Sequence, residues 1–295
     1  MNLKLNNLVE LAKNTPKKNI AVINPIDDIS LGGIHEAVKH NLVSPILLGK
    51  ESKIREVAQN NGFSLDNMKI VDCESEEEIL AKMVALAQNK EVDIIMKGSI
   101  HSDHLLSQIV KKENQLREGL ISHIFALDMP TYHKTLFITD CAINIAPSLE
   151  HKAKILMNSI KFLHKLGIAK PKVAILSATE VPNEKMISST DAYALANNPD
   201  FKDLAIVEGP LAFDNAISAK SAQIKKITSQ IAGDVDLLIM PNIESGNMLA
   251  KSLVYLGNAQ IAGVVVGAKL PVVLTSRADD EQARLLSVVL AKLSV

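Results

Sequence analysis

Four stretches of this chain set reactive side chains where an apolar run gives way to polar or flexible residues. The last is Leu274-Thr275-Ser276-Arg277-Ala278-Asp279-Asp280, in which an apolar run delivers a hydroxyl and a guanidinium just ahead of a helical pattern. Free backbone N–H groups at a helix start favour an anion, and a guanidinium can grip a tetrahedral oxyanion through two parallel hydrogen bonds. Ser276 and Arg277 are therefore candidates for holding phosphate. The plainer reading has Asp279 or Asp280 capping the helix, Ser276 shaping a turn and Arg277 pairing locally. Met96-Lys97-Gly98-Ser99 repeats the arrangement with a lysine, and Gly98 permits close backbone approach. Its alternatives are a second group facing a phosphate or a solvated lysine in an ordinary turn. Pro241-Asn242-Ile243-Glu244-Ser245-Gly246-Asn247 joins turn formers to amide and carboxylate groups, and reads equally as a binding loop or a capped turn. Val207 to Asp214 places Glu208 and Asp214 either side of a rigid Gly209-Pro210 turn, in no spacing that demands acid–base work.

The elements that must position these residues alternate along nearly the whole chain. Strand patterns lie near Ile20, Ile46, Ile70, Ile94, Phe137, Ile175 and Ile206, then in Asp234 to Asn242 and in the pair Gly263-to-Ala268 and Pro271-to-Ser276. Helical patterns separate them; Ile79, Met83, Leu86 and Ala87, for example, recur on one helical face. The strands are continuous apolar runs, as expected when helices cover both faces of a sheet. The class is α/β with mainly parallel sheets. About ten strands exceed a comfortable single doubly wound sheet, so two α/β lobes are expected. The first would hold residues 1–131 and 271–295 and the second 132–270, with Asp128-Met129-Pro130-Thr131 marking the boundary. In open α/β sheets ligands bind beyond the carboxyl ends of the strands, which is where all four stretches fall.

Composition narrows the class. Apolar residues make up 47% and charged residues 22%, the balance of a compact soluble protein, and the formal charge of -1 argues against bulk electrostatic attraction to nucleic acid. No run approaches the ~20 apolar residues that span a bilayer. The first residues read as an amphipathic helix rather than a leader. Cys73 and Cys141 fit a reduced, cytoplasmic setting. G-x-G-x-x-G, G-x-x-x-x-G-K-[ST] and G-x-S-x-G motifs are absent, and His101 with His104 is a weak metal pair without a third ligand.

As an ordered set the strand ends resemble the phosphate acetyl/butyryl transferase family. The matching stretches are Ile94 to Gly98, Phe137 to Asp140, Val207 to Leu211 with Phe213-Asp214, Asp236 to Asn247, and Pro271 to Asp279. The resemblance implies two lobes around an interdomain cleft, an architecture like that of isocitrate and isopropylmalate dehydrogenases, and a homodimer or higher homo-oligomer built mainly through the second lobe. It implies the reaction acyl-CoA plus phosphate giving acyl phosphate plus CoA, with coenzyme A as substrate and no metal or redox cofactor. In that scheme the CoA thiolate attacks the acyl phosphate directly, Arg277 holds the phosphoryl group, Ser276 hydrogen-bonds the reacting centre and Asp279 is the candidate base. Lys97, Gly98, Ser99, Asn242, Glu244, Gly246, Asn247 and Tyr255 are candidate substrate-binding residues. The chain departs from acetyl-specific members at Ala283, where they carry an aspartate, and at Tyr255, where they carry an arginine. These departures, with Lys97, point toward the butyryl branch. Two other readings are a metal- and NAD-dependent decarboxylating dehydrogenase of related architecture, and a non-catalytic sensor of CoA thioesters or acyl phosphates.

Overall fold

Aliphatic and β-branched runs form the strands, and amphipathic segments between them form the crossovers. The structure, a computed structural model, describes residues 4–275 and 279–295, so Ser276 and Arg277 lie outside the described residues. The chain divides into two units, one of residues 4–121 with 261–295 and one of residues 122–260.

The first unit opens with α1 (Leu5–Lys13), β1 (Lys18–Ile23), α2 (Asp28–Lys39), β2 (Val43–Gly49), α3 (Glu51–Asn61), β3 (Lys69–Asp72), α4 (Glu76–Gln88), β4 (Ile94–Lys97) and α5 (Ser102–Val110). Strand β5 (Arg117–Asp128) then carries the chain across the division. The sheet order in this unit is β3-β2-β1-β4-β11-β10, completed by the returning β10 (Gln260–Ala268), β11 (Val272–Val273) and the closing helix α11 (Glu281–Leu293). All neighbours are parallel except β10 and β11, which are antiparallel. Side-chain caps fix the helix starts: Asp27 accepts from the Ser30 N–H on α2, and Ser75 from the Glu78 N–H on α4, whose first turn carries three glutamates. Gly62, at φ 68°, ends α3 in the left-handed conformation that a glycine adopts without penalty. Lys292 on α11 is buried and donates to the carbonyls of Ala12 (2.7 Å) and Thr15 (3.2 Å), closing the end of α1.

The unit of residues 122–260 holds β6 (Leu136–Thr139), α6 (Leu149–Lys165), β7 (Lys172–Leu176), α7 (Ile187–Ala196), β8 (Ile206–Leu211), α8 (Phe213–Ile217), α9 (Ala219–Ile224), β9 (Leu237–Ile239) and α10 (Ile243–Tyr255). Its sheet runs β5-β6-β9-β7-β8, parallel but for the β5–β6 hairpin. The starts of β6, β7 and β9 are tied by charge: Lys134 reaches Asp234 at 2.8 Å and Asp236 at 2.6 Å, and Lys172 reaches Asp234 at 2.5 Å. Burial alone would raise Asp234, but Lys134, Lys172 and His133 hold it well below the usual carboxylate range.

The α/β class with mainly parallel sheets is as the apolar runs require. Two features differ from expectation. Strand β5 was not foreseen, because its first three residues, Arg117-Glu118-Gly119, are exposed and polar and the apolar pattern starts only afterwards. The units also divide near 121 and 260 rather than at 131 and 271. The Asp128-to-Thr131 interruption is followed by β6, which pairs back on β5 as a hairpin within one unit; a turn signal of this kind marks a reversal of the chain as readily as a linker.

A buried ion pair fastens α7 to α6: Lys152 Nζ lies 2.7 Å from Asp191, with side-chain exposures of 6% and 13%. Removing one partner leaves a desolvated charge, whereas removing both does not. Lys152→Met is expected to cost about 3–5 kcal/mol, and Lys152→Met with Asp191→Leu distinctly less. Urea unfolding of wild type, both single variants and the double variant measures the difference.

Candidate functional site

Chain order reverses at β1, which has β2 on one flank and β4 on the other. Such a switch point leaves a crevice beyond the strand ends, because the chains leaving the two strands diverge. Here the ends are stitched past the ladder. Gly98 N–H donates to the Ile23 carbonyl at 2.9 Å, Ser99 N–H to the Asn24 carbonyl at 2.8 Å, and Asn24 Nδ2 returns a bond to the Ser99 carbonyl at 2.8 Å. Asn24 sits at φ 54°, a region asparagine tolerates better than most side chains. A Cβ on Gly98 would lie 2.6 Å from the Ile23 carbonyl oxygen and 2.7 Å from that of Asn24, so no larger residue fits without moving backbone.

Charged groups gather around this stitch. The Asp27 carboxylate accepts the Ser30 N–H at 2.7 Å, the Ser30 hydroxyl at 2.7 Å and the Ser99 hydroxyl. Burial works to raise its pKa, but the hydrogen bonds from Ser99 and Ser30 and the charge of Arg284 hold it below the ordinary value. Lys97 is buried with Nζ toward the Gly98 carbonyl at 3.4 Å, and the buried Arg284 guanidinium lies 3.4 Å from the Lys97 carbonyl. Burial lowers the Arg284 pKa, while Asp27, Asp279 and Asp28 act in the opposite sense. Asp280 caps α11, accepting the Ala283 N–H at 2.8 Å. On the far side of β4, Val273 of β11 is in register with Met96, so the strand that leads through Thr275 to Ser276 and Arg277 neighbours the strand that ends in Lys97.

The unit of residues 122–260 uses the same logic where β6 and β9 end side by side. Asp140 accepts from the N–H groups of Ala142 (2.9 Å), Ile143 (3.1 Å) and Asn144 (3.2 Å) and from Asn144 Nδ2 (2.6 Å), which rolls 140–144 into a loop. Asn242 caps α10 through the Ser245 N–H at 3.0 Å. Asn247 Nδ2 donates to the Cys141 carbonyl at 3.2 Å, and a Cβ on Gly246 would lie 2.9 Å from the Asp140 carbonyl oxygen. Burial, with the neighbouring Asp140, pushes the Cys141 thiol well up, so it is protonated and unreactive.

Lys97, Gly98 and Ser99 therefore stand together, with Asp279 in electrostatic reach of Arg284. Asn242, Gly246 and Asn247 form a second group, with Glu244 exposed in the first turn of α10. Tyr255 is not brought to it: it ends the same helix, about 20 Å from Asn242 at 1.5 Å per residue, and is 70% exposed. Sequence reasoning missed Asn24, Asp27, Arg284 and Asp140. Asp140 did carry a signal, an acid directly after an apolar strand, and Asp27 another, an acid just ahead of a helical pattern, whereas Arg284 looks like any basic residue on an amphipathic helix.

The family model described as Phosphate acetyl/butaryl transferase matches residues 78–292. The chain belongs to this family. The phosphate acetyltransferase of Rickettsia felis is 46% identical over 275 residues, covering 92% of this chain and 79% of the relative. The probable phosphate butyryltransferase of Bacillus subtilis is 37% identical, covering 98% and 97%. Among solved structures, a branched-chain phosphotransacylase from Enterococcus faecalis V583 superimposes with a TM-score of 0.84 at 32% identity, covering 94% and 98%. The EutD phosphotransacetylase from Staphylococcus aureus shares the fold, with a TM-score of 0.78 at 21% identity over 98% of each chain.

Gly98→Ala drives a methyl group into two carbonyl oxygens that belong to the β1 end. Overpacking of this kind costs roughly 1–3 kcal/mol, and the variant is expected to show a lower urea midpoint with an unchanged m-value.

Proposed function

We propose that the chain catalyses the reversible reaction acyl-CoA plus phosphate giving acyl phosphate plus CoA. The observation that carries this reading is the switch-point edge itself, in a chain of this family: Lys97-Gly98-Ser99 beside the strand that leads to Ser276 and Arg277. In the direction of acyl-CoA synthesis the CoA sulfur, as thiolate, attacks the acyl carbon. The C–S bond forms, the C–O bond to the phosphoryl group breaks, and inorganic phosphate leaves with the electron pair. Arg277 is assigned to hold the phosphoryl group and offset its growing charge, and Ser276 to hydrogen-bond the reacting centre. A free thiol of pKa about 8.5 is mostly protonated at neutral pH, so a base to take its proton is useful. Of the two acids ahead of α11, Asp280 is engaged as the helix cap, and Asp279 is assigned the role of base. The buried cation Lys97 adds positive potential at the same edge. Asn242, Glu244, Gly246 and Asn247 are assigned to substrate binding at the end of β9. Coenzyme A enters as substrate, and the reaction calls for neither a metal nor a redox cofactor.

The acyl group is short. The departure at Ala283, with Lys97, favours a butyryl-type preference, while the more similar relatives bear the acetyl name, at 46% and 42% identity. One methylene shifts discrimination by only about 1–3 kcal/mol, so a graded rather than absolute preference is expected.

A cytoplasmic homodimer, or a larger homo-oligomer, completes the reading. It is supported by exposed apolar side chains that concentrate among residues 122–260. On α10, Met248 (62% exposed) and Tyr255 (70%) lie seven residues apart on one face, and Leu256 follows at 88%. Tyr255 belongs by position to this stripe.

Purified protein given acetyl-, propionyl- or butyryl-CoA is expected to release free thiol only when phosphate is present; no phosphate-dependent release with any of the three would sink the reading. Arg277→Ala should lower turnover at least about tenfold, roughly 1.4 kcal/mol, with its circular dichroism unchanged, and full turnover would remove Arg277 from the mechanism. Met248→Glu combined with Leu256→Glu should shift the light-scattering mass toward that of a single chain.

A further inference from the structure

Ser99 is exposed at the switch point, yet the proton of its hydroxyl is already committed, because Ser99 Oγ donates to the Asp27 carboxylate. Asp27 is bound to remain an acceptor. It takes three donors, two from Ser30 and one from Ser99, and the buried cation Arg284 acts on it through charge. The Arg284 guanidinium donates through Nη1 to the Lys97 carbonyl at 3.4 Å, while its buried Nε has no hydrogen-bond partner among the described residues. An ionised carboxylate can only accept, and a hydroxyl has one proton to give. The Ser99 oxygen therefore faces any ligand with lone pairs alone.

We propose that Asp27 and Ser99 form an anion-selecting pair, in which Ser99 accepts a hydrogen bond from a protonated oxygen of the tetrahedral anion held at the Lys97–Ser99 turn. The inference rests on the phosphate-binding reading of that turn and deepens it. Inorganic phosphate at neutral pH keeps at least one proton and can donate to Ser99. Sulfate has the same shape and a similar charge but no proton, and would set its own lone pairs against those of Ser99. A site that demands a hydrogen-bond partner rejects the isostere lacking it far more strongly than a shape-only site does, because a desolvated polar group is left unpaired. Acyl phosphate carries its acyl group on the esterified oxygen in place of a proton, so the contact favours free phosphate over the acylated product. Asp27 is a positioning residue here; Ser99 is the one that touches the anion.

The test is titration calorimetry at neutral pH of wild type, Asp27→Asn and Ser99→Ala with inorganic phosphate and, separately, with sulfate. Wild type is expected to bind phosphate at least about tenfold more tightly than sulfate. Asp27→Asn keeps an N-cap residue on α2 but lets the amide donate to Ser99 Oγ, releasing the serine proton toward the anion, and the phosphate-to-sulfate ratio should fall to within about threefold. Ser99→Ala should reduce the ratio in the same way without touching the helix cap. A merely structural role would weaken both anions together and leave the ratio unchanged. The proposal is overturned if wild type binds the two anions equally, if it binds neither, or if either variant keeps the wild-type ratio. Thiol release is measured apart from this: its absence with the anion preference intact would dismiss the acyltransferase reading and leave the selecting pair standing.

Discussion

The site depends on one close approach, the stitching of the β4 end to the β1 end through Gly98. Parallel strands at a switch point would otherwise diverge, since the chains leaving them turn to different helices. The bonds from Gly98 and Ser99 to the carbonyls of Ile23 and Asn24 extend the β1–β4 ladder beyond its last paired residues. They fix the distance between the Asn24-to-Asp27 turn and the Lys97-to-Ser99 turn to within the tolerance of a hydrogen bond. The side-chain bonds that cross this edge, Asn24 to Ser99 and Ser99 to Asp27, presuppose that spacing. Ser99 reaches Asp27 only because its backbone is already held by Asn24, and Asn24 closes the loop by donating back to Ser99.

On that rigid base the protein buries charges that stability alone would not select. Lys97 and Arg284 are 4% and 3% exposed, and acids lie around them. Desolvating an ion costs several kcal/mol before any partner is counted, and an apolar replacement of similar volume often does as well or better. Arg284 also has a buried Nε with no hydrogen-bond partner among the described residues, a further penalty. By contrast, the network of Lys134, Lys172, Asp234 and Asp236 lies at the starts of the strands with its ions in direct contact, Lys134 and Asp236 buried and Lys172 and Asp234 partly solvated. The two clusters differ in kind. One joins strand starts through ions in direct contact; the other holds ions at strand ends at the expense of stability, as expected of a site that must act on a charged ligand.

Much of this was legible in the sequence because both signals involved are local. A continuous apolar run means a covered strand, and a polar or glycine-containing stretch directly after it means a strand end; together they located Lys97 to Ser99 and Asn242 to Asn247. What was not legible depended on pairing. Strand β5 begins in exposed polar residues, and its partner β6 lies beyond a turn that reads as a boundary. Arg284 sits in the second turn of an amphipathic helix, and nothing in its neighbours says that α11 packs against Gly33 closely enough to bury it; a Cβ on Gly33 would lie 2.6 Å from Arg284 Cβ. Tyr255 was drawn into the site by likeness of position, whereas helix geometry carries it a full helix length from Asn242. Asp27 is the instructive case. Its role as a helix cap is readable from Asp27-Asp28 ahead of an apolar pattern, but its hold on Ser99 crosses 72 residues of chain and exists only once β1 and β4 are neighbours.

The same accounting bears on the base. A carboxylate that accepts several N–H or O–H donors is stabilised in its ionised form and is a poor match for a thiol proton, because proton transfer is most effective when donor and acceptor pKa values are close. Asp27 is held in this way and is a weak acceptor of protons however near it lies. Asp140 is occupied in shaping its own loop and Asp280 in capping α11. Ala283, where acetyl-specific members of the family carry an aspartate, lies in the first turn of α11, and its N–H is what Asp280 caps. Asp279, the acid proposed as base, precedes that cap and so belongs to the loop ahead of the helix rather than to the helix itself. On the proposed reading that base follows Arg277 by two residues in the sequence, so proton removal and phosphate binding draw on one stretch of chain.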